Sequence, residues 1–300
     1  MSIQQFLDYL SLEKKYSDNT IIAYQRDIQV FQAFCKDEMD IKNIDIVNYG
    51  HIRHWIVSLV DNKVSNRSIN RKIAALKAYY KFLLKCNVIS ANPLLKHKAL
   101  KTQKKVEIPF SLSEMEKVLA HLKGKQDFES VRDCLIVELF YTTGIRRSEL
   151  INLKCGDVNK SERIIKVLGK RNKERIIPLL NALTDDIKNY LVLRKTVSNE
   201  TSDDFFFLRK NGNKLYETLV YRIINNYFSK ASAKAKTSPH ILRHTFATHM
   251  LSQGADLNSV KELLGHSSLA STQVYTHNSI TELKKVYAKT HPRNRKNLDD

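Results

Sequence analysis

The sequence predicts a mainly α protein of two domains, with a small antiparallel sheet set into the second, mostly helical one. Three observations predict it. Apolar residues recur at helical spacing through nearly all of residues 1–90. Asn92-Pro93 then ends the run and opens LLKHKALKTQKKVEIP, a basic stretch of little periodicity closed by Pro109. Beyond it helical patterns resume, interrupted by RIIKVLGKRNKERIIP, where apolar and basic residues alternate about a central KRNK turn. At 300 residues the chain has material for two cores. The domains read as 1–95 and 107–300, joined by a linker over 96–106.

Ile3, Phe6, Leu7 and Leu10 make the first amphipathic helix. Ser17-Asp18-Asn19 supplies an N-cap for a longer one, whose stripe is Ile22, Tyr24, Ile28, Phe31 and Phe34. A third helix near His51–Val60 carries Trp55, the single tryptophan. A fourth, Ser68–Leu84, sets Ile69, Ile73, Leu76, Tyr80 and Leu83 on one face. Its other face carries Arg67, Arg71, Lys72, Lys77 and Lys81.

In the second domain Leu112–Leu122 is capped by Ser111 or by Ser113, the latter with Glu116 three residues on. An apolar helix over Val131–Tyr141 stops at Gly144, and Ile145–Leu150 starts another. Strands are expected near Ile164–Leu168 and Glu174–Ile177, and helices near Ala182–Arg194 and Tyr216–Ser229. The final helices open at His240 and stop at Gly265, before a basic tail.

Hydrophobic residues at 42% and charged residues at 27% are ordinary for a globular protein, but a net charge of +19 is not. Residues 61–110 alone carry a net +10. A helix face with cations of one sign over four turns repels itself unless an anion meets it. A merely solvated face is the bland alternative; the concentration of charge favours a nucleic-acid backbone. No apolar run is long enough to span a bilayer, and the N-terminus lacks a basic-then-apolar signal pattern. Cys35, Cys86, Cys134 and Cys155 are scattered without a CxxC pair, which points to a reducing interior rather than a disulfide framework. These features predict a cytoplasmic, nucleoid-associated protein with no membrane partner.

The chemistry concentrates in Ser238–His277, SPHILRHTFATHMLSQGADLNSVKELLGHSSLASTQVYTH. On its first helix Leu242, Phe246, His249 and Met250 form the core side. His240, Arg243 and Ala247 lie on the opposite side, where the small alanine leaves room for a ligand. His266 follows Gly265 directly, and Tyr275 comes nine positions later. Two imidazoles, a guanidinium and a phenol suffice to attack a phosphodiester without a metal. His240 and His244 do have zinc-helix spacing, but no adjacent glutamate and no Cys/His cluster completes a site, so no metal is expected.

TGIRRSEL at Thr143–Leu150, GKRNKER at Gly169–Arg175, HILRH at His240–His244, LLGHSS at Leu263–Ser268 and Tyr275 occur in the order and spacing of one family's motifs. The sequence resembles the tyrosine recombinases, and among them the Xer type. SDNTIIAYQRDI at Ser17–Ile28 is similar to the start of that family's N-terminal domain, so the resemblance spans nearly the whole chain. It implies a SAM-like helical core-binding domain followed by a catalytic domain of the DNA breaking-rejoining fold. It further implies that Tyr275 attacks the scissile phosphate to give a 3′-phosphotyrosyl link, with His240 as base. Arg146 and Arg243 would grip the non-bridging oxygens, His266 would add a hydrogen bond, and Lys170 would protonate the departing 5′ oxygen. Lys173 is the alternative to Lys170. Glu149, one helical turn from Arg146, is placed to hold that arginine.

Two positions depart from the family pattern. Arg171 stands where glycine is common, and Arg147 where an apolar residue is frequent; both are candidate DNA contacts, with solvent as the alternative for Arg147. The resemblance implies no cofactor, because the phosphotyrosyl link conserves the energy of the broken bond. It implies double-stranded DNA as partner and a homo- or hetero-tetramer acting through a Holliday junction, with a second recombinase or a DNA translocase as further candidates. Leu283, Val286 and Tyr287 would dock the C-terminal segment into a neighbouring protomer; the alternative is packing on its own domain. An integrase of a mobile element and a non-catalytic DNA-binding protein on the same fold are the rival functions.

Overall fold

Between Lys105 and Val106 the computed structural model divides into two units, Met1–Lys105 and Val106–Asp300. Residues 2–103, 107–169, 174–202, 204–231, 237–265 and 277–295 are described, the side chains of 277–282 and 295 excepted.

The first unit holds α1 (Ile3–Asp8), a π-helical turn (Tyr9–Glu13), α2 (Asp18–Met39), α3 (Tyr49–Asp61) and α4 (Asn66–Lys85). Ser2 caps α1 and Asn48 caps α3, each accepting from the backbone of the first turn. The apolar stripe of α4 (Ile69, Ile73, Leu76, Tyr80, Leu83) is buried as its spacing predicts. Tyr79 and Tyr80 are buried too, and their hydroxyls donate to Asp45 at 2.6 Å and to the Ile44 carbonyl at 2.9 Å, so neither is left unsatisfied. The residues after α4 extend along it: Asn70 donates to the Leu100 carbonyl and accepts from the Leu100 amide, at 2.8 and 2.9 Å. Asn66 donates to the Lys101 carbonyl at 2.8 Å.

On α2 the stripe departs from expectation. Ile28 and Phe31 are buried, but Ile22 is 60% exposed, and the fully buried neighbour is Asp27. Arg71 and Lys72 of α4 bond to the Asp27 carboxylate at 2.5 and 3.3 Å. The anion that the basic face of α4 requires is thus, for two of its cations, inside the protein. Replacing Asp27 with Ala is expected to cost the first unit about 2–3 kcal/mol. That is below the cost for a fully buried pair, because Arg71 is half exposed and turns to water. Trp55, buried against Phe31 with Lys72 over its ring, is the chain's only tryptophan. Denaturant unfolding followed by its fluorescence therefore reads this unit alone.

The second unit contains α5 (Leu112–Leu122), α6 (Phe128–Thr143), α7 (Arg147–Asn152), β1 (Val158–Asn159), β2 (Ile164–Leu168), β3 (Glu174–Pro178), α8 (Leu183–Val197), α9 (Glu217–Ala231), α10 (Pro239–Ser252), α11 (Leu257–Leu264), α12 (His277–Thr290) and α13 (Pro292–Arg295). Ser111, not Ser113, caps α5, in a capping box with Glu114. The sheet is antiparallel in the order β1-β2-β3; the short β1 is a strand that hydropathy did not signal. In the β2–β3 register Ile165 faces Ile177 and Val167 faces Arg175. All four of these side chains are buried.

Helix α6 is the central one, buried along almost all of its length. The C-terminal segment packs on it: Leu283 and Tyr287 are buried within the same unit, and Tyr287 donates to the Thr142 carbonyl at 2.6 Å. In this single chain Leu283 and Tyr287 are therefore covered by their own domain, the alternative to docking in a neighbour. His291, wholly buried among Tyr141, Phe246 and Tyr287, accepts from the Arg293 amide and bonds the Tyr141 carbonyl. Burial, opposed only in part by that carbonyl, pushes His291 down to about 3, so it is neutral at physiological pH.

Candidate active site

Helix α11 ends at Gly265, whose φ of 63° closes the helix in the left-handed region. The last carbonyls of a helix have no partner within it and carry the negative end of its dipole. Three arginines from three other elements take them in succession. Arg175 of β3 donates through Nε to Leu263 at 3.1 Å, Arg243 of α10 through Nη2 to Leu264 at 2.5 Å, and Arg146 through Nη2 to Gly265 at 3.1 Å.

Each arginine is brought there by local sequence. Ser238 caps α10 with Pro239 at its first turn, which starts the helix so that Arg243 falls one turn in. Gly144 ends α6 at φ 58°, and its carbonyl accepts from Arg243 Nη1 at 2.5 Å. A side chain at Gly144 would be strained by that φ and would meet Phe246 at 2.5 Å. Arg146 stands at the N-cap of α7, where its backbone amide donates to Glu149 Oε2 at 2.8 Å and its Nη1 to Glu149 Oε1 at 2.7 Å. Arg175 binds the same carboxylate through both terminal nitrogens, at 2.6 and 2.8 Å.

Three guanidinium groups thus gather near one carboxylate, two of them bonded to it, an excess of positive charge in a buried setting. Arg175 and Glu149 are each 5% exposed and Arg243 is 9% exposed. The Arg146 side chain, 32% exposed, is the most open of the three to a ligand. Burial, then the Arg146 and Arg175 charges, pull Arg243 down to about 9, which leaves it charged at neutral pH but poorly compensated. Burial alone would raise Glu149; the Arg175 hydrogen bond and charge, then Arg146, outweigh it and hold the carboxyl below its ordinary range. Among the described residues one carboxylate stands against three guanidiniums, and a tetrahedral oxyanion fits the fork of a guanidinium.

Of the residues singled out in the sequence, the structure brings together Arg146, Glu149 and Arg243. Arg243 is buried rather than lining an open polar face, because its guanidinium closes the ends of α6 and α11. His240 stands one turn earlier on the exposed start of α10, where its Nε2 lies 3.2 Å from Glu107. Lys170, Arg171, Lys173, His266 and Tyr275 lie outside the described residues. Arg147 is paired with Glu217 at 2.5 Å. Arg67, Lys77 and Lys81 are exposed and, among the described residues, make no ion pair; Arg71 and Lys72 are held by Asp27.

Arg175 is the residue that pattern reading passed over. A signal was present. Side chains on a strand alternate, so Arg175 is in phase with the buried Ile177 and opposite the buried Val167. An arginine at a core-facing strand position calls for a buried partner.

Residues 110–282 match the Phage integrase family, and residues 3–87 match the Phage integrase, N-terminal SAM-like domain. The chain is 37% identical over 295 residues to a tyrosine recombinase XerC of Anoxybacillus flavithermus, covering 97% of this chain and 98% of that protein. It is 35% identical over 297 residues to a tyrosine recombinase XerD of Staphylococcus haemolyticus, with the same coverage. Its fold is similar to that of the Tn1549 transposon integrase in complex with circular intermediate DNA. That likeness has a TM-score of 0.69 at 20% identity, covering 99% of this chain and 98% of the other.

Proposed function

The chain belongs to the phage integrase family, whose tyrosine recombinases cut and rejoin DNA at specific sites, and we propose that it is a recombinase of the Xer type that resolves joined chromosomes or plasmids. The observation that carries the chemical reading is the three-arginine cluster at the end of α11.

Arg146 and Arg243 hold the scissile phosphate, and the charge that builds on its oxygens in the transition state meets donors already in place. Tyr275 Oη bonds to phosphorus and gives its proton to His240. The bond from phosphorus to the 5′ oxygen breaks, and Lys170 supplies the proton that makes the 5′-hydroxyl. His266 donates to the phosphate. The 3′-phosphotyrosyl link then yields to the 5′-hydroxyl of a second strand, so the reaction needs no cofactor. Four protomers on two sites would carry this through a Holliday junction. Acting on chromosomal DNA, the protein works in the cytoplasm; no described helix is long and apolar enough to cross a membrane.

The test is a suicide substrate, a bound site recovered by footprinting and nicked so that the short cleaved strand diffuses away. A covalent protein–DNA adduct on a denaturing gel, with the phosphate on a peptide containing Tyr275, is the expected result. No adduct on any bound site removes the recombinase reading and leaves a DNA-binding protein.

The exposed cations of α4 give a separate expectation. Replacing Arg67, Lys77 and Lys81 with Ala should reduce the steepness of log affinity against log salt by about 0.9 for each phosphate that is no longer neutralised. Lys72→Ala should leave that slope nearly unchanged, since Lys72 serves Asp27. An equal fall in slope for Lys72→Ala would return that lysine to the DNA surface.

A further inference from the structure

We infer that Arg175 is a positioning residue for strand cleavage: it takes up the charge of Glu149 and fixes the end of α11, so that Arg146 is held in place yet stays free to bind the phosphate. This inference rests on the recombinase reading above.

The geometry gives Arg175 two tasks, both performed from a buried position. Its terminal nitrogens occupy both oxygens of Glu149, and its Nε holds the Leu263 carbonyl. Its Cδ lies only 2.8 Å from where a side chain on Gly265 would begin, so α11 closes directly against it. At 5% exposure it has almost no surface for DNA, so any effect on cleavage passes through its neighbours. Bulk packing does not explain it either. An apolar residue beside Ile177 would fill a strand position without the desolvation that a buried ion pair costs.

The charge balance explains what it adds. With Arg175 present, Glu149 is shared, and Arg146 keeps an exposed, partly uncompensated guanidinium. Without it, Glu149 would pair with Arg146 alone, and the phosphate would have to compete with that carboxylate for its ligand. The groups facing Glu149 are Arg146 from the start of α7, Arg175 from β3 and, through its charge, Arg243 from α10. Arg175 is the strongest of the influences that lower the carboxyl. Its loss therefore lets Glu149 take up a proton nearer neutrality. In the sequence Arg175 follows Lys170 by five residues, and it stands on β3.

The test measures single-turnover cleavage of the suicide substrate by the full chain, beside equilibrium binding of intact site DNA. Arg175→Met is expected to lower the cleavage rate about 100-fold, the scale of a displaced catalytic group. DNA affinity should stay within about twofold. Loss of activity on acidification should begin at higher pH in the variant than in the wild type, because Glu149 protonates more readily and Arg146 then loses the group that aims it. In a Glu149→Gln background, adding Arg175→Met should cost little more, since both changes act on one arrangement. Arg175→Lys keeps the charge but not the fork, and should fold and recover only part of the rate. It is the variant to read if Arg175→Met does not fold. Cleavage by either variant at the wild-type rate, or full additivity with Glu149→Gln, would overturn the inference. Wild-type cleavage in the same gel separates that result from failure of the recombinase reading, in which no variant cleaves.

Discussion

Tyr275→Phe should abolish the covalent adduct on the suicide substrate while leaving DNA affinity within about twofold. The substitution removes one oxygen and keeps the ring, so packing around it is nearly conserved. That oxygen is the atom that bonds to phosphorus in the proposed reaction. Removing a covalent nucleophile costs several orders of magnitude, on the order of a millionfold in well-studied hydrolases. Binding should persist because the arginine cluster and the exposed face of α4 remain. An adduct at the wild-type level from Tyr275→Phe would move the nucleophile elsewhere in the chain.

Glu149→Gln should damage both stability and chemistry. The carboxylate is buried between Arg146 and Arg175, and Arg243 lies close enough to feel its charge. Taking the charge away leaves three guanidiniums in one buried cluster, at a cost of about 3–5 kcal/mol. For a unit of this size that corresponds to a fall of roughly 10 °C in the melting temperature of Val106–Asp300. The pH dependence has a definite sign. Glu149 titrates below its unfolded value, so its contribution is complete above that ordinary value of 4.5 and is lost as pH falls through the folded one. The stability gap between wild type and Glu149→Gln should thus be constant from pH 5 to 8 and close below about 4.5. A gap unchanged down to pH 3 would mean that the carboxylate charge is not what stabilises the cluster. Cleavage should fall as well, because Arg146 loses the group that aims it.

Most of the helices were legible because their cores are periodic. Ile69, Ile73, Leu76, Tyr80 and Leu83 repeat at helical spacing and are all buried. Gly144 stops α6 where its left-handed φ makes glycine necessary. The two β-strands of the hairpin were legible from alternation, whereas β1 has two residues and no pattern to show. Errors gathered where charge is buried. Hydropathy put Ile22 inside and had no reason to bury Asp27, because the two cations that neutralise it are over forty residues away in sequence. Arg175 was missed for the same reason. Its partner Glu149 stands twenty-six positions earlier, on another element. Glu149 itself was within reach of sequence reading, since one helical turn separates it from Arg146 and the two bond at 2.7 Å. Local spacing reveals a contact within one turn; it says nothing of a buried ion pair assembled by the fold.

The seat of α12 on α6 has a consequence for reach. Tyr275 precedes His277, the first residue of α12, by two positions, so their Cα atoms are never more than about 7 Å apart. From Gly265 the same tyrosine is ten residues along, a leash of roughly 35 Å. Chain length therefore confines Tyr275 far more closely to the start of α12 than to the end of α11. Wherever α12 lies, Tyr275 follows, and α12 lies where Tyr287 and His291 pin the tail to α6. Shifting that seat would shift the bound on where Tyr275 can lie, while the bonds of the arginine cluster are made by other elements.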